Sequence, residues 1–336
     1  MAPVSVVWTI LGLALVAVAL VDLGWTAIAA GSGSGPLTGR VTHRLWRGAL
    51  WVHARRPSHR FLAVAGVLVV VSVLVAWILT VLTGWFLVFV AHDDNVRSST
   101  TGLAAGFVDR IYFTGYTVFT LGIGDYVPAG GWPQVATVLA TGTGLLLVTL
   151  SITYLVPAAS GVAQRRQMAA YVATLGSSST EIVARTWTGS DFGQLGQHLT
   201  TLTPMVVGNQ QRLYTFPLLH FFHSVQDHAA ATLRIADLLG VIDLLEHGVA
   251  PDHRLPWSVS GPLRSALCAH LETLREARIE AHPEPLAAPA LEPLRRAGIP
   301  VVDDRAYQEA VVASEGDRRL LAGYLEDDGR LAERKR

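Results

Sequence analysis

Long apolar runs and polar intervals alternate along the first half of the chain. Val4 to Ala30 is the first run and is long enough to cross about 30 Å of hydrocarbon. Phe61 to Ala91 is the second, and at about 1.5 Å per residue it exceeds a bilayer core, so it tilts or extends past one face. The third begins at Pro133, a residue suited to a first helical turn, and continues to Pro157. Between the second and third runs, His92 to Gly106 forms a short polar outer loop with Asp93 and Asp94, and Phe107 to Phe119 predicts a helix too short to span.

After Pro157 the pattern changes to that of a water-soluble helical domain. Ile235, Leu238, Leu239, Ile242 and Leu245 form one apolar stripe, and Leu263, Leu267, Leu271 and Leu274 form another. Strand alternation is not evident. Pro283, Pro285, Pro289 and Pro293 mark a loop-rich interval before a last helix from about Arg305 to Leu325. The expected fold is all-α, with three membrane helices and a half-membrane helix followed by a soluble helical domain. The segments are 1–30, a spanning helix; 31–60, a basic linker; 61–157, the central membrane domain; 158–180, a second linker including Leu175 to Thr180; and 181–336, the helical domain.

Polar residues within this pattern set the topology. Gly31 to Gly35 predicts a flexible break, and Pro36 to Arg60 then carries six arginines and no acidic residue, which marks the cytoplasmic side. Arg165 and Arg166 mark the same side again. The N-terminus is therefore expected outside, with the C-terminal domain in the cytoplasm of a multi-pass cell-membrane protein. Leu37, Val41 and Leu45 recur at helical spacing, and Trp46 and Trp51 favour interfaces, so the basic segment reads as a helix lying on the inner membrane surface or as a solvated linker. Its arginines do not recur every third residue within an apolar helix, so a voltage sensor is not expected. Ala27-Ile28-Ala29 would suit a signal-peptide cleavage site, but residues 1–3 carry no basic charge, which favours a retained helix. Asp22 either makes a polar contact inside a helix bundle or lies near the helix end and reaches the interface; its position favours the second.

Composition agrees with a membrane part joined to a soluble one. The 336 residues are 51% hydrophobic, too apolar for an ordinary soluble protein. Twenty-six basic and 26 acidic residues leave no global field to attract nucleic acid. Cys268 is the sole cysteine, so an intrachain disulfide and a cysteine-based zinc site are excluded.

The stretch Thr117 to Asp125, reading TVFTLGIGD, fits neither a lipid-facing helix nor a soluble core. Gly122 and Gly124 let the backbone leave the right-handed helical region, and irregular backbone at membrane depth survives only where it is buried in protein or lines a water-filled path. If these glycines alternate in handedness with Leu121 and Ile123, successive carbonyls point the same way, and the Thr120 hydroxyl extends the row. Four such segments around an axis would stack oxygen cages able to replace a cation's water shell, with Asp125 concentrating cations at the mouth.

These residues resemble the potassium-channel signature Thr-x-x-Thr-x-Gly-x-Gly-Asp, complete at its five defined positions. The resemblance covers roughly Phe61 to Pro157 and implies a two-transmembrane pore-loop channel: outer helix 61–91, pore helix 107–119, filter 120–125, inner helix 133–157. It departs at Ile123, where most members carry Tyr or Phe that braces the filter, which puts filter stiffness in question. It implies ion contacts at Thr120, Leu121, Gly122, Ile123 and Gly124, an outer mouth at Asp125, and filter support from Thr117 and Phe119, with Tyr112, Phe113 and Tyr116 packing beside them. A bending point at Gly144, with Gly142 beside it, is implied equally with simple close packing. Thr149 and Thr153 either line the cavity or bond back to helix carbonyls. A homotetramer in membrane lipid that passes potassium ions passively follows, with no cofactor and no covalent chemistry. A weakly selective cation channel and a membrane-anchored sensor with a vestigial pore are the competing readings.

The C-terminal domain shows no Gly-x-Gly-x-x-Gly after a strand, no phosphate loop and no nucleophile elbow, so its ligand or protein partner is unidentified. His220, His223, Asp227 and His228 form one cluster at helical spacing, a candidate divalent-metal or pH-sensing site set against aromatic packing with Phe221 and Phe222.

Overall fold

The computed structural model describes residues 3–28, 34–277 and 279–334. Most of the expected break at Gly31 to Gly35, and Lys335 and Arg336 of the tail, lie outside the described residues. The fold is all-α, with a single two-stranded sheet among the described residues. Among the described residues three helices are long and apolar enough to cross a membrane. The chain divides into two compact units, Met1–Leu45 with Leu68–Pro157, and Trp46–Val67 with Ala158–Arg336.

In the first unit, α1 (Pro3–Ile28) crosses α3 (His59–Val90) at a pair of glycines. A Cβ on Gly12 would stand 2.4 Å from the Gly84 carbonyl oxygen, and one on Gly84 would stand 2.7 Å from that of Gly12. Only glycine lets the two backbones approach so closely. Asp22 of α1 is fully buried, which overturns its expected place at the interface. Its carboxylate accepts from the Trp77 indole N–H at 2.8 Å, the Leu37 N–H at 2.6 Å, and the Thr38 hydroxyl and N–H at 2.6 and 3.1 Å. Leu37 and Thr38 open α2 (Pro36–Arg55), whose first-turn donors have no partner within their own helix. A buried carboxylate with four donors is compensated. Position along α1 could not reveal this, because the donors come from two other helices.

The short strand β1 (Val96–Ser98) follows α3, then comes α4 (Phe107–Val118), and β2 (Tyr126–Pro128) returns antiparallel to β1 with Arg97 opposite Val127. Three-residue strands carry too little alternation to be read from sequence. The helix α5 (Trp132–Leu175) continues past Pro157, where a break and a linker were expected. Pro157 forfeits one N–H bond. Beyond it Met168, Ala169 and Val172 are buried in the core of the second unit, which keeps the chain helical.

The second unit is built around α8 (Ala231–Asp243), all of whose residues are buried, so its apolar stripe is enclosed on every side. Around it lie α6 (Ser179–Arg185), α7 (Leu195–Thr215), α9 (Trp257–Glu276), α10 (Glu292–Arg296), α11 (Asp304–Val311), α12 (Glu315–Asp327) and the short α13 (Leu331–Arg334). The charges on α8 are paired: Asp237 with Arg234 and Arg334, and Asp243 with Arg318 and the Ser314 hydroxyl. The expected last helix is split into α11 and α12 by a 3-10 turn at Val312–Ser314. Trp46, expected as an interfacial anchor, is buried in this unit and donates its indole N–H to the Asp327 carbonyl at 2.9 Å. Trp51 is exposed and carries the Arg55 guanidinium 3.3 Å above its ring.

Candidate functional site

The half-membrane helix α4 is fixed at both ends by groups outside its own ladder. At its start, Asp109 Oδ2 accepts from the Gly106 N–H at 3.0 Å, and the buried Arg110 donates to the Asp93 carbonyl at 2.9 Å. Along its length, Phe113 meets Phe89 of α3 edge-on at 4.9 Å and Tyr116 at 5.3 Å.

The C-terminus of α4 sets the backbone of the loop that follows, Thr120 to Asp125. Leu121 donates to the Tyr116 carbonyl at 2.8 Å and Thr120 to the Thr117 carbonyl at 3.1 Å, the paired bonds that close a helix around one left-handed residue. Glycine is the usual occupant of that position, yet here it is Thr120, with φ +59°, the sole non-glycine residue with positive φ among the described residues. A β-branched residue in that region is strained and is held there by its surroundings, a condition that clusters at functional sites. Gly122 at +59° and Gly124 at +87° continue the pattern, while Leu121 and Ile123 between them are not left-handed. Handedness therefore alternates from Thr120 to Gly124, the condition under which successive carbonyls face one side.

Beyond the alternating segment the chain is tied down again. The Ser99 N–H and hydroxyl both donate to the Asp125 carbonyl at 3.0 Å, and the Tyr112 hydroxyl donates to the Asp125 carboxylate at 3.2 Å. The Tyr116 hydroxyl donates to the Tyr126 carbonyl. Two tyrosines of α4 thus hold the outer end of the loop by hydrogen bonds. Their spacing along α4 singled them out in the sequence, but Ser99 lies 26 residues from Asp125 and carried no signal.

The other named residues fall as follows. Thr117 is buried, and its carbonyl also accepts from the Thr141 hydroxyl at 3.3 Å. Phe119 is exposed in the single chain, as are Leu121 and Ile123. Gly144 meets the end of α4, where an added Cβ would lie 1.8 Å from the Val118 carbonyl oxygen. The space around Gly142 is open, and α5 runs unbroken through both glycines. Thr149 and Thr153 lie exposed on α5. A concavity of about 230 Å³ adjoins this loop, with Thr120, Gly122, Gly124, Thr137 and Thr141 in its lining.

The second candidate cluster is not brought together. His220 belongs to a 3-10 turn at Pro217–Phe221, His223 to an extended stretch and Asp227 to another 3-10 turn, so the expected shared helical face does not exist. His220 pairs with Asp327, His223 with Asp328 and Asp227 with Arg330. Among the described residues no group of three or more His, Cys, Asp or Glu could hold a metal ion.

A short helix that stops inside a membrane domain, followed by a loop of alternating handedness and a long apolar helix, defines the pore-loop class of membrane protein. Residues 73–160 match the family described as ion channel. Over 323 residues the chain is 31% identical to the uncharacterized membrane protein YdjJ of Bacillus subtilis (strain 168), covering 96% of this chain and 94% of that protein. The chain belongs to the family of that Bacillus subtilis membrane protein, its likeness extending through the helical domain, and its residues 73–160 carry the ion-channel match. No solved structure matches it.

Proposed function

We propose that the protein is a potassium-selective channel in which four copies close Thr120 to Gly124 into rings of carbonyl oxygens. The observation that carries this reading is the alternation of φ at Thr120, Gly122 and Gly124, reached through a strained threonine. A cation entering such a segment exchanges water for carbonyl and hydroxyl oxygens, and one loop per subunit supplies a quarter of each cage. The C-terminus of α4 aims its partial negative charge toward the same axis. Asp125 stands at the outer mouth, the N-terminus is outside and the helical domain is cytoplasmic. Transport is passive and needs no bond making or breaking.

Cation flux from proteoliposomes tests conduction. Vesicles loaded with potassium should empty faster than vesicles loaded with sodium, and Gly122→Ala should abolish the difference, because alanine does not tolerate the left-handed backbone at this position. Equal leak through wild type and variant in both salts would refute it. A second reading, a weakly selective cation channel, draws on Ile123, whose aliphatic side chain replaces an aromatic brace. It predicts equal potassium and sodium flux that Gly122→Ala still alters.

A further inference from the structure

The second unit contains a pair of histidines whose hydrogen bonds count protons. His59 opens α3, directly after the elbow from α2, and His223 lies in the stretch before α8. Their facing nitrogens, His59 Nδ1 and His223 Nε2, are 2.9 Å apart, with ring planes within 12° of each other. The outward nitrogens both meet carboxylates: His59 Nε2 meets Glu333 of α13, and His223 Nδ1 meets Asp328 Oδ1 at 2.9 Å.

The proton inventory follows from donor chemistry. Each outward nitrogen carries a proton because its partner is an ionised acceptor. Asp328 is held in that form: burial pushes its pKa up, but the His223 hydrogen bond and charge and the Thr232 hydroxyl bring it below the usual carboxylate range. The facing nitrogens are joined by one N–H···N bond, so one proton lies between them. The two rings therefore hold three protons and a single positive charge. A fourth proton would set N–H against N–H across 2.9 Å, with two imidazolium charges in contact.

At 2.9 Å no acceptor fits between the facing nitrogens, so the other groups around the pair leave the N–H against N–H contact in place. Arg330, fully buried, spans Asp227 at 2.7 Å and Glu333 at 2.9 Å, and its Nε lies 3.7 Å from Asp328. His53 of α2 sits 5.2 Å from His59, ring to ring, with its Nδ1 accepting from the Ser58 N–H. His220 is engaged by Asp327 of α12, and on α8 Asp237 is matched by Arg234 and Arg334. The carboxylates nearest the pair are already shared with Arg330.

We infer that the His59–His223 pair is a proton-binding latch that holds the α2–α3 elbow on the helical domain with one shared proton and releases it when a second is taken up. Because α3 continues from His59 to Val90, acidity around this domain would reach the outer helix of the channel through its own N-terminal turn. The inference is independent of which ion passes.

Below the free-histidine value near 6.5 each separated imidazole takes its own proton, so opening of the latch takes up one proton and the opening equilibrium rises by up to tenfold per pH unit. Hydrogen exchange by mass spectrometry on the full-length protein in detergent, corrected for intrinsic rates, tests this. Between pH 6.5 and 5.0 peptides covering 52–62 and 220–228 should lose protection ten- to thirty-fold, while 199–206 in α7 should not. His223→Asn keeps a donor toward Asp328 and removes the titrating contact, so elbow exchange in that variant should be flat with pH. If His223→Asn does not fold, the more exposed His59→Asn carries the same test. Protection in the wild-type elbow that does not change with pH, or that falls equally in either variant, would overturn the latch.

Discussion

Gly144 of α5 lies so close to the end of α4 that an added Cβ would stand 1.8 Å from the Val118 carbonyl oxygen. Two residues beyond Val118 the chain enters its left-handed turn at Thr120. The helix α5 and the end of α4 are therefore in close backbone contact, and the lack of a side chain at residue 144 is what permits it.

Gly144→Ala should displace the α4 terminus and cost about 1–3 kcal/mol of stability as an overpacked contact, together with loss of conduction. Gly142→Ala, in open space, should change stability by less than about 1 kcal/mol. Thermal unfolding in detergent and bilayer currents of both variants check this. Equal effects at the two positions would remove the distinction between them.

Asp22 is the polar tie of the first unit. Asp22→Ala strands the Trp77 indole, the Leu37 and Thr38 amides and the Thr38 hydroxyl in a buried place. The expected loss is about 3 kcal/mol or more, with Asp22→Asn falling between the two because it keeps one acceptor oxygen. The unfolding midpoint of each variant in one detergent ranks them, and an Asp22→Ala protein as stable as wild type would contradict the role.

Ile123→Tyr tests whether the missing aromatic matters. In this chain Tyr112 and Tyr116 already hold Asp125 and Tyr126 by hydrogen bonds. If an aromatic at 123 adds stiffness beyond theirs, the potassium-to-sodium permeability ratio should rise by up to roughly tenfold, equivalent to about 1.4 kcal/mol. An unchanged ratio would assign the bracing to the two tyrosines alone.

His270 on α9 is fully buried with neither ring nitrogen bonded among the described residues, and burial first, then the Arg165 charge, lowers its pKa to about 3. Unfolding then takes up a proton between about pH 6.5 and 3, so stability falls as the solution is acidified through that window. His270→Leu should remove up to about 2 kcal/mol of the loss between pH 6.5 and 5. Asp243 acts in the opposite sense: burial raises its pKa to about 6, so it favours the folded state as pH falls from 6 toward 3.8. Comparing variant with wild type at each pH cancels Asp243, which both carry. Parallel profiles would contradict the assignment to His270.

What the sequence revealed depended on whether the controlling interactions were local. The spanning runs follow from length and hydropathy, and the loop from glycines at alternate positions beside threonines. The position of Asp22 was misread because its partners Leu37, Thr38 and Trp77 belong to other helices. Trp46 was misread for the same reason, since the acceptor of its indole is the Asp327 carbonyl, 281 residues away. Helical spacing placed His220, His223 and Asp227 on one face, but Pro217 starts a short 3-10 turn and the chain then extends, so each found a separate partner. The continuation of α5 past Pro157 was hidden because the packing that sustains it comes from the second unit's core.

The central claim is that Thr120 to Gly124 forms the selective path, and the reversal potential of the purified protein in a planar bilayer, with potassium on one side and sodium on the other, tests it most directly. The account predicts a reversal near the potassium equilibrium potential that Gly122→Ala abolishes. A reversal near zero, or one that Gly122→Ala leaves unchanged, would contradict it.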